Sequence, residues 1–273
     1  MRRFVLLTLF AVVLAFSLLS LATAKPIQGG PLKEADWLKQ PVGDKVDEAR
    51  PKAPWITKWY APDGPYENNG GFAASAPKDL IDEGTKGKLD QIKLSTAEGL
   101  MMTENIDLDW AKKNGGPRGW TVVEIDPADN HNMNTMYGQP PTDNFDTYAM
   151  IVIESPKDMK AVMSSTHDDH AQIWINGEKW YNNSLWTGAA LEVDYEVEVN
   201  LKKGGNVLVF RCGESGGDAY FNLHFDDDTN KAVKYFPDKA DDKASFLKEA
   251  AAALSVSPAG KLPEIWGRIK RGQ

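Results

Sequence analysis

Two adjacent carboxylates, Asp168 and Asp169, stand between two imidazoles in the run Ser165-Thr166-His167-Asp168-Asp169-His170. Paired carboxylates at a loop tip offer hard oxygen ligands, the donor type that calcium prefers; the bland reading is a solvated turn whose Asp side chains cap backbone amides. His167 and His170 have a spacing that on a helix can hold a transition metal. Here the context is a β-turn and the chain has only four histidines, so they are read as solvated. Eleven residues on, Trp180, Tyr181 and Trp186 cluster with Asn182 and Asn183. Flat rings receive the apolar C–H faces of sugars, and amides supply directional hydrogen bonds. These five are the candidate ligand contacts; Asp168 and Asp169 are the candidate calcium ligands.

Other motifs carry less. Gly213-Glu214-Ser215-Gly216-Gly217 has the letters of a nucleophile elbow, but that elbow joins a strand to a helix. A strand-like run, Tyr220 to Phe225, follows here, so the expectation is a Gly-rich hairpin with no catalytic Ser215. Asp226-Asp227-Asp228 lacks the alternating ligands of a calcium loop and reads as a solvated acidic loop. Cys212, the single cysteine, falls in an apolar strand and reads as a small core residue.

The elements that hold these residues are mostly strands. Short apolar or alternating runs separated by turn residues fall near 120–125, 146–154, 158–166, 171–176, 178–182, 192–199, 206–212 and 218–225, the pattern of a sandwich or barrel. Asn176-Gly177 predicts a two-residue hairpin, because both positions tolerate positive φ. Strict alternation over 192–199 turns Val193, Tyr195, Val197 and Val199 inward. Residues 54–60 are a further strand. The segment 76–118 is ambiguous, with short strands at 92–95 and 99–103 as one reading. Residues 241–254, acidic at the start and alanine-rich, predict a helix.

The acidic turn leading into Ile173-Trp174-Ile175-Asn176-Gly177 and the later Leu201-Lys202-Lys203-Gly204-Gly205-Asn206-Val207-Leu208 resemble galactose-binding-like domains. Those are the jelly-roll modules found in secreted bacterial proteins, among them the sugar-binding domain of β-galactosidase-type glycoside hydrolases. The Asp pair resembles that of protective-antigen-like lectin domains, except that His170 stands where glycine is usual. The resemblance covers about 146–225. It implies a mainly β, antiparallel jelly-roll β-sandwich, with an irregular N-terminal portion and a C-terminal helix, that binds carbohydrate or glycoconjugate without catalysis. Calcium at Asp168 and Asp169 is an option rather than a requirement. The alternative is a structural or protein-interaction sandwich of an extracellular or envelope assembly with no small ligand.

Residues 1–24 combine Arg2-Arg3, an apolar run and Ala22-Thr23-Ala24, which predicts a cleaved leader and an exported, extracellular or periplasmic protein with no span left after cleavage. The organisation expected is a leader at 1–24, a flexible lead-in at 25–53, the sandwich at 54–239, and a helix with a basic tail at 240–273. The full chain carries a net charge of −8, which argues against nucleic acid as a partner. One cysteine precludes an internal disulfide and favours a bacterial source.

Overall fold

The computed structural model describes residues 25–32 and 40–255. The leader and the basic tail lie outside them. Nine strands and four helices carry the argument: β1 (Lys58–Pro62), β2 (Trp120–Glu124), β3 (Phe145–Ser155), β4 (Met159–Asp168), β5 (His170–Ile175), β6 (Glu178–Asn183), β7 (Glu196–Leu201), β8 (Gly204–Gly213) and β9 (Tyr220–Phe225), with α1 (Leu80–Thr85), α2 (Gln91–Leu94), α3 (Ala97–Met102) and α4 (Lys243–Ser255). Apart from one short parallel pairing at Ile27–Gln28, every ladder is antiparallel, and the protein is mainly β with a C-terminal helix.

Two sheets stack. The larger runs β6-β5-β8-β3-β1-β2, and the smaller runs β7-β4-β9, with Ile27–Gln28 on its β7 edge. The core between them joins Trp59, Ile151, Ile173 and Phe210 of the large sheet to Met163, Val197, Phe221 and Leu223 of the small one. The opposite face of the large sheet is also dry. There Tyr60, Tyr148, Trp174 and Val209 pack under Leu80, Leu94, Leu100 and Phe246 of the helices. A large sheet buried on both faces explains why Gln172 and Trp174, opposite Ile173 and Ile175, are buried as well.

The expected strands from residue 120 onward are present within one to three residues at most ends. The run 192–199 is broken at Asp194-Tyr195, and only its second half continues as β7; its four inward residues are all buried. Asn176 and Gly177 close the β5–β6 hairpin at φ of 53° and 84°. The first strand begins at Lys58 rather than 54.

Three expectations need correction. The runs 92–95 and 99–103 are not strands: they fall in α2 and α3, capped by the side chains of Asp90 and Thr96. Asp226-Asp227-Asp228 is not a loop: Asp226 caps a short helix, Asp227–Ala232, through the Thr229 amide. Where it is described, the lead-in is docked: Ile27 belongs to the core, and a Cβ on Gly30 would lie 2.3 Å from the Lys179 carbonyl.

Candidate functional site

Asp168 ends β4 and His170 begins β5, so Asp169 is the whole connection between strands of the two sheets. The Asp168–Asp169 peptide is cis. The glycine usual after such a pair is unnecessary here, because His170 is already in strand and has no positive φ. The Asp169 amide donates to the Gly213 carbonyl at 3.1 Å, and its carboxylate accepts from the Ser215 amide at 2.9 Å. The loop after β8 therefore fixes the orientation of Asp169; it is not the expected Gly-rich hairpin, because β8 lies in the large sheet and β9 in the small one, and the loop crosses between them.

Glu214, in that loop, is buried. Its Oε2 accepts from the Asn144 amide at 3.2 Å, while Oε1 has no hydrogen-bond partner. Asp218 accepts from Asn130 at 2.8 Å. Burial raises the pKa of Asp168, Asp169 and Glu214, and the neighbouring charges add to it. Asp168 is pushed up to about 8, first by burial and then by the Asp169 charge, with Asp218 and Glu214 contributing. Asp169 is also raised, because burial outweighs its hydrogen bonds. Glu214 reaches about 7 for the same reasons, burial first. Crowded carboxylates that hold protons near neutrality are stabilised when a cation replaces those protons.

Asp168 and Asp169 supply two of the six to eight oxygens that calcium takes. Loop carbonyls, water and ligand hydroxyls must complete the shell. Among the described residues one set of three acids lies within metal-ligating reach of itself, Asp47, Glu192 and Asp194. There Lys45 Nζ stands 2.7 Å from Asp194 and 3.8 Å from Asp47, so an ammonium already pairs with two of the three acids.

Trp186 is 57 % exposed, and Leu185 beside it is 46 % exposed. The loop bearing them is tied to β4 by Thr187, whose amide donates to the His167 carbonyl at 2.9 Å and whose carbonyl accepts from the Tyr220 hydroxyl at 2.7 Å. The main chain next to the open indole is thereby held to His167 of β4 and to Tyr220 of β9.

Three of the other four expected contact residues, Trp180, Tyr181 and Asn182, line a small cavity of about 170 Å³ closed by Ile27, Leu32 and Pro41. Trp180, Tyr181, Asn182 and Asn183 are all buried. Alternation would turn Trp180 and Tyr181 to opposite faces, yet both join the core between the sheets. The cause is a β-bulge: Ile173 pairs with Tyr181 and Trp174 with Lys179, so the register skips Trp180. Asn183 and Tyr181 support the site from beneath, Asn183 by accepting from the Leu185 amide at 3.0 Å and donating to the Tyr181 hydroxyl at 3.0 Å.

The histidines are not solvated either. His167 Nδ1 lies 2.7 Å from the Asp169 carbonyl and Nε2 lies 3.1 Å from the Tyr181 hydroxyl. Burial lowers its pKa to about 4, so at neutral pH it is an uncharged brace. His170 stacks on Phe72. Cys212 is in the core, and burial pushes its thiol up. Ser215 sits between two strands, its Oγ accepting from the Phe72 amide at 3.0 Å. Reasoning from the sequence missed Glu214 and Asp218 as members of the acidic site; their signal was the acids flanking Ser215-Gly216-Gly217.

No family model matches the chain, and no curated protein does. Solved structures with some likeness include the PA14 domain of the MpAFP antifreeze protein, at 13 % identity and a TM-score of 0.35 over 72 % of this chain and 95 % of that one. The PA14 sugar-binding domain from an RTX adhesin gives 12 % and 0.32 over 68 % and 98 %. A family 35 carbohydrate-binding module from Clostridium thermocellum gives 18 % and 0.22 over 33 % and 70 %. At this level the likeness is one of outline, with no residue-by-residue correspondence.

Proposed function

We propose that this chain is an exported, non-catalytic module that binds carbohydrate or glycoconjugate at the end of the sandwich carrying Asp168, Asp169 and Trp186. The observation that carries this reading is the crowding of Asp168 and Asp169 against the Glu214–Ser215 loop at one end of the sandwich, where the segment bearing the exposed Trp186 is tied by Thr187 to the same strand. In this reading Asp168 and Asp169 hold calcium, the ion accepts sugar hydroxyls as ligands, and Trp186 takes the apolar face of the ring. No described helix is long and apolar enough to cross a membrane. The expected leader at residues 1–24 is the basis for export.

The alternative, a scaffold or protein-interaction sandwich without a small ligand, is favoured by the burial of Trp180, Tyr181, Asn182 and Asn183. A glycan array probed with and without calcium separates the two. Hits that vanish with chelator, and with either Asp168→Asn or Asp169→Asn, support the calcium-bridged site. An array with no hit in either condition leaves the scaffold reading standing.

A further inference from the structure

The end of the sandwich that carries Asp168 and Asp169 is built from four stretches of chain. The Asn144 amide donates to Glu214 and the Asn130 side chain to Asp218, so the segment before β3 meets the loop after β8. The Ser215 amide donates to Asp169, and the Thr187 amide to the His167 carbonyl, which adds the β4–β5 junction and the loop after β6. The sequence of these stretches is one-sided. Residues 119–156, 161–178, 180–201 and 212–230 contain no lysine or arginine, in a chain that has 31 of them. Acids are not excluded in the same way, since Asp143, Asp168, Asp169, Glu214 and Asp218 all come to this end.

Two of these acids are open to a ligand. Asp143 is exposed, and its carboxylate lies 3.9 Å from where a Cβ on Gly216 would stand. The Asp218 side chain is 43 % exposed. The cations nearby answer them poorly. His131 Nε2 is 3.8 Å from Asp218, beyond hydrogen-bond distance, and Lys45, whose charge reaches His167, is bonded to Asp194 at 2.7 Å. Glu214 shows that the charge is not balanced from within. It is wholly buried, its Oε1 has no hydrogen-bond partner, and the charges that act on it are those of Asp169 and Asp143. A ligand does not touch that oxygen; it meets its field, added to those of the two outer carboxylates. Calcium on Asp168 and Asp169 would still leave Glu214, Asp143 and Asp218 uncompensated. Such an end repels uronates, sulfates and other anionic sugars, is indifferent to neutral ones, and attracts a protonated amine.

We propose that the glycans taken at this end are those with free amino groups, deacetylated hexosamine oligomers, and that Asp143 and Asp218 select them by pairing with the ammonium. This rests on the glycan reading given above and narrows it: neutral oligomers bind more weakly, and uronate-bearing ones are turned away.

The test titrates the full chain by calorimetry, in calcium and at about pH 6, where amines are protonated. Three tetrasaccharides are compared: chitotetraose, its fully deacetylated form, and tetragalacturonate. In about 20 mM salt the deacetylated form is expected to bind about tenfold tighter than chitotetraose, and tetragalacturonate not at all. In about 300 mM salt the gap should close to about threefold or less, as the screening length shortens. Asp143→Asn combined with Asp218→Asn should bring the two hexosamine oligomers within about twofold of each other, by weakening the amine-bearing one. Melting curves confirm that the double variant is folded. The proposal is overturned if chitotetraose or tetragalacturonate binds as tightly as the deacetylated form, or if the preference survives in the double variant. It is equally overturned if spermine, a polyamine with no sugar, binds as tightly as the deacetylated oligomer. If none of the three sugars binds, the glycan reading itself fails and this inference falls with it; a neutral sugar that binds best defeats this inference alone.

Discussion

Asp168 and Glu214 retain protons at pH values where most carboxylates have lost them, and the direction of the consequence can be worked out. Their folded pKa values, about 8 and about 7, lie above those of the unfolded chain. Through the interval between, the native state binds more protons than the unfolded one, so stability falls as pH rises. His167, lowered to about 4, acts oppositely, losing stability for the fold as pH drops below about 6.5. In chelator, the melting temperature is expected to decline between pH 6.5 and 9, and added calcium should flatten or reverse that decline. A melting temperature that is level or rising over this range without calcium would show that the pair is not holding protons. Trp186, being exposed, should behave differently: Trp186→Ala is expected to leave the melting curve unchanged while weakening glycan binding by about 1–3 kcal/mol, by analogy with base–aromatic stacking. Calorimetry against an array hit checks it.

At the scale of the element, legibility depended on whether a signal is local. The β5–β6 hairpin was legible because Asn176-Gly177 fits one turn geometry. Gly177→Val, at φ 84° with Thr96 Cγ2 3.2 Å from the new Cβ, is expected to destabilise by about 1 kcal/mol or more, measured by urea titration. α1, α2 and α3 were not legible, since helices of four to six residues are too short to display a 3.6-residue period. Their caps, Asp79, Asp90 and Thr96, were present but cannot be told from ordinary turn residues. The bulge at Trp180 left no mark in composition or spacing, and it reassigned a supposed binding surface to the core. In the site itself, the Asp pair and Trp186 could be nominated from residue type. Glu214 and Asp218 arrive from the loop that crosses from β8 to β9, a contact that only the tertiary fold reveals.

Across the whole molecule, one buried ion pair fastens the helical layer to the large sheet. Asp146 on β3 accepts from Arg211 Nε and Nη2 at 2.9 and 2.8 Å, and from Asn68 and Ser75 outside the sheet. Arg211 in turn donates to the Lys78 carbonyl at 2.8 Å. Asn68 also donates to the Glu214 carbonyl at 3.0 Å, so the same knot reaches the acidic loop. Arg211→Met strands a buried carboxylate and is expected to cost about 3–5 kcal/mol, whereas Arg211→Met with Asp146→Leu should recover part of that loss. Denaturant unfolding of the two variants tests the difference.

The small sheet is bordered by segments with little regular structure of their own. Ile27–Gln28 pairs with β7 on one side, and the Ile56 amide bonds to β9 on the other. Bare strand edges are templates for joining like to like. A chain shortened to begin at residue 44 uncovers the β7 edge and is expected to self-associate in proportion to concentration, visible by light scattering, even where circular dichroism still reports native strands. The plainest stretch of the polypeptide would then be its guard against polymerisation, and trimming it to obtain a tidier domain would yield a less soluble one.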